Sequence, residues 1–222
     1  MKKNLPLVLI AGGVIILILA ILVVVKSLKG GVPKETPQEE ETVLELPKDQ
    51  WPLVTLTAVT DPNIPNSLGH VLNLKVQKIN VKDAATLDYL LVYSTSTGGQ
   101  QGVPGSVKLS GVDVDRNLLL GSESSGKYRF DAGVSQGSIT LTFRDNDGKS
   151  LGKVMSDFHL QSGDTELTAV DGTVIFTLDK VAKGVFFVTL PTFLEPEASD
   201  NLVTWSNGYG VFSSDDKPHT GK

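Results

Sequence analysis

Gly133-Val-Ser135-Gln-Gly137 satisfies the G-x-S-x-G expression of hydrolases that present a serine at a nucleophile elbow. That chemistry needs a strand ending in a strained turn and a helix starting there, so that the hydroxyl stands clear beside an oxyanion hole. Here Ser138-Ile-Thr-Leu-Thr-Phe143 comes next, an alternating run that reads as another strand. The histidines that could activate Ser135 are His70, His159 and His219, in three unrelated stretches. The match reads as a glycine-bearing turn, and no catalytic residue is assigned.

Asp145-Asn146-Asp147-Gly148 resembles part of a calcium loop. An EF-hand, however, sets oxygen donors at alternate positions with Gly at the sixth and Glu at the twelfth; here Gly148 directly follows Asp147 and Phe143 occupies an earlier ligand position. Hairpin turn is the preferred reading. Asp113, Asp115, Asp61 and Asn63 fall in expected inter-strand loops, where carboxylates can share an ion only if the fold makes them converge. No metal or cofactor is assigned. Leu190-Pro-Thr192 is a fragment of a sortase signal, but Leu194 stands where that signal places glycine. Gly121-Ser-Glu-Ser-Ser-Gly126 is too short for a phosphate-cradling loop and lacks its Lys-Ser/Thr. Phe186, Phe187, Trp205 and Tyr209 recur at strand spacing and read as core residues.

The elements that would position these residues are strands. After Trp51 the chain consists of short runs rich in Val, Thr, Leu and aromatics, punctuated by Gly, Asn and Asp. Expected strands are Leu53 to Val59, Val71 to Val81 with a bulge near Gln77-Lys78, and Thr86 to Ser94 as a central strand covered on both faces. Thr95 to Gly105 reads as a mobile loop before a short strand at Val107 to Leu109. Tyr128 to Phe130 and Ile139 to Phe143 are expected to face one core, with Leu151 to Leu160 and Val185 to Leu190 after them. Asp171-Gly172 and Asn207-Gly208 each sit between apolar runs as two-residue hairpin turns, because such pairs tolerate positive φ. The total is nine to eleven strands and no helix outside the membrane. A division into two sandwiches near Gln161-Ser-Gly-Asp164 is the alternative to one domain.

Ahead of the strands lies Leu5 to Val25, with no charged or polar side chain and sixteen Leu, Ile or Val among 21 residues. At about 1.5 Å per helical residue it spans about 31 Å, the hydrocarbon thickness of a bilayer. A cleaved signal would carry a shorter apolar region and a small-x-small site, and a lipoprotein signal needs a cysteine. The run therefore reads as an uncleaved transmembrane signal anchor. Lysines flank it almost equally, so orientation with the amino terminus in the cytoplasm rests on the short leader and on the exported look of the strand-rich region beyond the span. The organisation expected is a cytoplasmic leader at 1–4, the anchor at 5–25, an acidic Pro-rich stalk at 26–52, a β-sandwich at 53–213 and a flexible tail at 214–222.

The region from Gly30 onward has a net charge of −9, which argues against nucleic acid as a partner. The chain contains no cysteine, excluding disulfides, thiolate metal sites and a cysteine nucleophile. The strand from Leu87, the segment Leu118 to Lys149 and the closing Tyr209-Gly-Val-Phe-Ser-Ser resemble uncharacterised single-pass bacterial envelope proteins with an immunoglobulin- or fibronectin III-like ectodomain. That resemblance implies architecture only: an all-β, Ig-like antiparallel sandwich after one transmembrane helix. The antibody pattern of Cys, Trp and Cys is absent. The expected role is non-enzymatic binding or scaffolding at the cell envelope, with the lipid bilayer as partner through 5–25 and an envelope protein or glycan as ligand. The alternatives are a subunit of a larger envelope complex and a tethered hydrolase using Ser135.

Overall fold

The computed structural model describes residues 44–111, 113–197 and 201–222, which form fourteen strands and one 3-10 turn, Lys48–Gln50. The expected anchor at 5–25 and the stalk up to residue 43 lie outside the described residues. Among the described residues no helix is long and apolar enough to cross a membrane.

Every sheet is antiparallel. Strands β1 (Leu53–Ala58), β2 (Val71–Gln77) and β5 (Val114–Leu119) form one sheet in the order β1-β2-β5. A second sheet of seven strands is built from β3 (Thr86–Ser94), β4 (Gln100–Lys108), β8 (Gln136–Arg144), β9 (Ser150–Ser162), β12 (Phe186–Pro191), β13 (Leu202–Ser206) and β14 (Tyr209–Ser213). Its order is β13-β14-β12-β9-β8-β3-β4. Two hairpins stand apart, β6 (Gly121–Ser124) with β7 (Lys127–Phe130), and β10 (Glu166–Thr168) with β11 (Ile175–Thr177).

The two-residue period of a strand sends alternate side chains to opposite faces, and both sheets use it to fill one core. Leu72, Leu74 and Val76 of β2 meet Leu87, Leu91 and Tyr93 of β3 and Ile139, Leu141 and Phe143 of β8. Val188, Leu190 and Phe212 from the later strands join the same cluster. Each such side chain contributes roughly 1.5–3 kcal/mol on leaving water. A smaller cluster of Leu167, Leu178, Phe187 and Val211 lies under the β10–β11 hairpin.

Several expected boundaries move. The core-facing phase slip after Gln77 is a strand end, not a bulge: Lys78 takes φ +54°, and Ile79 and Val81 reach the core from the loop beyond it. The supposed loop 95–105 is mostly strand β4, paired with β3 from Thr86↔Lys108 to Ser94↔Gln100. Pro104 is tolerated because β4 is the sheet's edge, where an absent N–H breaks no second ladder. The outer face of β3 is not covered, since Leu90 remains 42% exposed. Tyr128 and Phe130 belong to the detached β6–β7 hairpin, whose turn is Ser125-Gly126 with φ of +53° and +76°.

Of the two hairpin signals, Asn207-Gly208 is a two-residue turn with positive φ at both positions, closing Ser206↔Tyr209. Asp171-Gly172 sits in a longer connection, because β10 and β11 pair only from Thr168↔Ile175 outward. Strand β9 runs through Ser162 and continues to pair with β12 there, so the seven-stranded sheet crosses 161–162 without a break. The described residues from Leu44 to Lys222 form one compact unit.

Both ends of that unit are tied down where composition pointed to spacer and tail. Leu46 is buried, its N–H bonds Lys153 O at 2.8 Å, and Lys153 N–H returns a bond to Leu44 O at 2.9 Å. The stalk assignment therefore stops short of residue 44: one buried leucine and Trp51, edge-on to Phe193 at 4.3 Å, outweigh the acidic composition around them. At the other end, Thr177 and Lys222 exchange N–H···O bonds of 2.7 and 3.0 Å, and Asp179 N–H bonds Thr220 O at 2.9 Å. His219 also sits edge-on to Phe187 at 5.0 Å. The segment 214–222, expected to fray, is thus a paired strap.

Candidate functional site

Strand β2 reads Val-Leu-Asn-Leu-Lys-Val-Gln, so the alternation that buries Leu72, Leu74 and Val76 turns Asn73, Lys75 and Gln77 outward. The registers of β1 and β5 extend these into rows across the sheet: Thr57–Asn73–Asn117, then Thr55–Lys75–Asp115, then Leu53 beside Gln77. Cross-strand neighbours on one face lie about 5 Å apart, close enough for amide and carboxylate side chains to bond.

They do so in two groups. Asn73 Nδ2 donates to Asp115 Oδ1 at 2.6 Å and to Asn117 Oδ1 at 3.0 Å, and Asn117 Nδ2 donates to Asp61 Oδ2 at 2.9 Å. Gln77 Nε2 donates to Asp113 Oδ2 at 2.9 Å, and Lys75 Nζ lies 4.0 Å from Asp115 Oδ2. Asp61 also accepts from the Asn63 backbone at 2.9 Å. The Asn117 bond is the chief reason that the Asp61 carboxyl sits below its ordinary value, with the Asn63 N–H next and a small opposing effect of desolvation.

The Leu53 end of this face is walled. Pro196, Glu197, Asn201 and Phe212 rise beside Leu53, Thr55 and Thr57 to enclose a polar cleft of about 350 Å³ with Lys75, Gln77, Lys78 and Asp113. Lys78 Nζ bonds Glu195 O at 3.4 Å, linking the floor to the wall. The cleft offers amides, hydroxyls, two ammonium groups and two carboxylates, so it can donate and accept but has little apolar surface to offer. Its size is at the lower end of small-molecule sites.

The calcium candidates are partly brought together here: Asp61, Asn63, Asp113 and Asp115 share one sheet face. Asp61 and Asp115 are linked through Asn117 and Asn73, while Asp113 bonds Gln77 apart from them, and among the described residues no group of three or more His, Asp or Glu is placed to hold a metal. Asp113 is a loop residue as expected, but Asp115 is not, because Val114–Leu119 is a strand. The other candidates lie elsewhere. Asp145 Oδ1 accepts N–H bonds from Asp147 and Lys149, each 2.9 Å, and so builds its own hairpin turn. Ser135 is exposed ahead of strand β8, and its carbonyl accepts the Leu160 N–H at 2.6 Å. His159 Nδ1 is held at Thr168 O, 2.9 Å; His219 Nε2 at Asp215 Oδ1, 2.7 Å; and His70 stacks on Phe130. None of these contacts involves Ser135.

Thr192 is buried, as is Phe187. Gly121 to Gly126 is the β6–β7 hairpin, with Glu123 Oε1 accepting the Gly126 N–H at 2.6 Å. Trp205 and Tyr209 are only partly buried; their polar tips donate to Thr192 Oγ1 at 2.9 Å and to Asp171 Oδ2 at 2.7 Å. The residues that sequence reasoning passed over are Asn73 and Asn117 on the bonded face and Lys75 and Gln77 in the cleft. Their signal was present in the polar half of the β2 alternation. Compared with family models, with curated proteins and with solved structures, the chain has no match.

Proposed function

We propose that this chain is a membrane-tethered, extracytoplasmic binding module of the immunoglobulin or fibronectin III class, acting on a polar partner at the cell envelope. The apolar run Leu5 to Val25 supports the tether. Strand order supports the class. If β1, β2, β3, β4, β5, β8 and β9 are lettered A, B, C, C′, E, F and G, the sheets read A-B-E and G-F-C-C′, the Greek-key order of such sandwiches. Strands β12, β14 and β13 then extend the sheet beyond G.

The observation that carries the reading is the bonded polar face of β1-β2-β5 ending in the 350 Å³ cleft. Surface polar residues ordinarily bond water; a face whose amides already fix one another is pre-organised to present donors and acceptors in set positions. Its mixture of both charge signs with amides and hydroxyls suits a glycan or a polar protein segment. The test is site-specific photo-crosslinking in membranes from Gln77 in the cleft and, as a control, from Met155 on the opposite sheet. A discrete adduct from Gln77 supports the reading, and indistinguishable neighbours from both positions refute it. The topology is tested with protease added outside intact cells, which should digest the β domain without lysis.

One observation favours a second reading, a subunit of a larger envelope assembly. The registers Leu90↔Thr140 and Thr140↔Met155 set two exposed apolar residues, 42% and 59% accessible, in one row on the outer face of β3-β8-β9. An adduct from Met155 but not from Gln77 would select that reading.

A further inference from the structure

The C-terminal strap makes a second recess, unrelated to the polar cleft. Leu178, Ala182 and Val185 line it where the chain passes from β11 to β12, and Pro218 and Thr220 line it from the returning strap. The recess holds about 460 Å³. Lys180 and Lys183 stand on one side and Lys217 on the other, all exposed, with His219 between strap and sheet. Asp215 is the one carboxylate among the described lining residues, and its Oδ1 is engaged by His219 Nε2 at 2.7 Å. The lining therefore carries a net charge of +2 with His219 neutral, on a chain whose overall charge is −5. The walls are held by the Thr177–Lys222 and Asp179–Thr220 backbone bonds, so the recess is part of the fold.

We propose that this recess binds an anion of the phosphate class. Three ammonium groups, each with three donors and a compact charge, match the several acceptor oxygens of a phosphate better than the two of a carboxylate. The planar bidentate geometry that favours carboxylates would call for arginine, and no arginine lines the recess. Leu178, Ala182 and Val185 supply apolar surface for the organic group that a phosphate ester carries. The inference does not depend on the polar cleft; Gln77 crosslinking can fail while this stands, and the reverse.

The experiment is a titration of the full chain in detergent micelles, monitored by amide chemical shifts at constant ionic strength. The probes are inorganic phosphate and glycerophosphoglycerol, the soluble diester of a lipid headgroup, with chloride as reference. Saturable shifts confined to residues 178–185 and 215–222 are expected. The triple variant Lys180→Gln/Lys183→Gln/Lys217→Gln should weaken binding at least about tenfold, the effect of losing one charge-assisted bond, while Lys75→Gln leaves it unchanged. If the triple variant misfolds, Lys217→Gln alone must still weaken it. A preference for the diester identifies a headgroup or polyol-phosphate source; a preference for inorganic phosphate identifies a soluble anion. Shifts that chloride reproduces, shifts spread over the surface lysines, or wild-type affinity in the lysine variants would overturn the proposal.

Discussion

Leu46 and Gly152 form a contact whose removal from either side can be measured. Leu46 is 3% exposed although it lies in a Glu- and Pro-rich stretch, and a Cβ added to Gly152 would meet Leu46 Cδ2 at 2.6 Å and Cγ at 3.0 Å. Leu46→Ala deletes three carbons; at about 0.8 kcal/mol per buried carbon, and with partial refilling at the sheet margin, the loss is about 2–3 kcal/mol. Gly152→Ala forces the leucine aside and costs about 1–3 kcal/mol. In the double variant the obstructing Cδ2 and Cγ are gone, so the two losses are not additive and the loss in the double variant falls short of their sum by about 1 kcal/mol or more. What remains of the Gly152→Ala cost is the backbone strain of an alanine at φ +159°. Guanidinium unfolding of the four proteins, compared at equal m-values, gives the cycle directly. A Leu46→Ala loss under about 0.5 kcal/mol, or strict additivity, would mean that residues 44–52 are spacer after all and that the docked β-bridge does not hold in solution.

Asp145→Ala removes the acceptor of two backbone N–H bonds and should lower stability by about 1–2 kcal/mol; added calcium should leave the wild-type midpoint where it is, and a calcium-dependent rise that Asp145→Ala abolishes would restore the ion-loop reading. Burial pushes the Asp88 carboxyl up, but the Arg144 guanidinium at 2.6 Å and the Ser106 hydroxyl at 2.7 Å outweigh it, leaving the group below its ordinary 3.8. Because the folded value is depressed, this contribution is complete above the ordinary value and fades as pH falls through the folded one, so Asp88→Asn should flatten the acid limb of stability below about pH 4. With both side chains about one-third exposed, the effect is no more than about 1 kcal/mol, and an unchanged acid limb by urea unfolding would refute it. A chain ending at Ser162 loses Val188, Leu190 and Phe212 from the main core, roughly 5–9 kcal/mol at 1.5–3 each, against a typical total of about 5–15. The full chain should unfold in one calorimetric transition and the shortened chain should show none near that temperature; an intact transition in the shortened chain would make 163–222 a separate domain.

What could be read from sequence and what could not divides along the locality of the signal. Thr86 to Ser94 and the Asn207-Gly208 turn declare themselves within a few residues, because period and positive φ are local properties. Strand β4 does not: its glycines and Pro104 look like loop, yet Gly105 is small because the Tyr89 ring lies over it, and Pro104 is harmless because nothing pairs beyond the edge. Strand β5 is hidden for a similar reason, its outward Asp115 and Asn117 diluting the apolar period. In β2 the same alternation that made the strand legible also carried the cleft residues, but only the register with β5 unites Asn73 with Asn117 and Asp61. The lysine recess lies furthest from view. Along the chain Lys180 comes right after Asp179, and Lys217 after Asp215 and Asp216, so two of the three cations are cancelled by their sequence neighbours and Lys183 stands alone. In space the returning strap brings Lys217 opposite Lys180 and Lys183, while Asp179 and Asp216 are not among the lining residues and Asp215 is tied to His219. A charge cluster of this kind is created by the fold, and it exists only because the last nine residues are pinned by the Thr177–Lys222 pair.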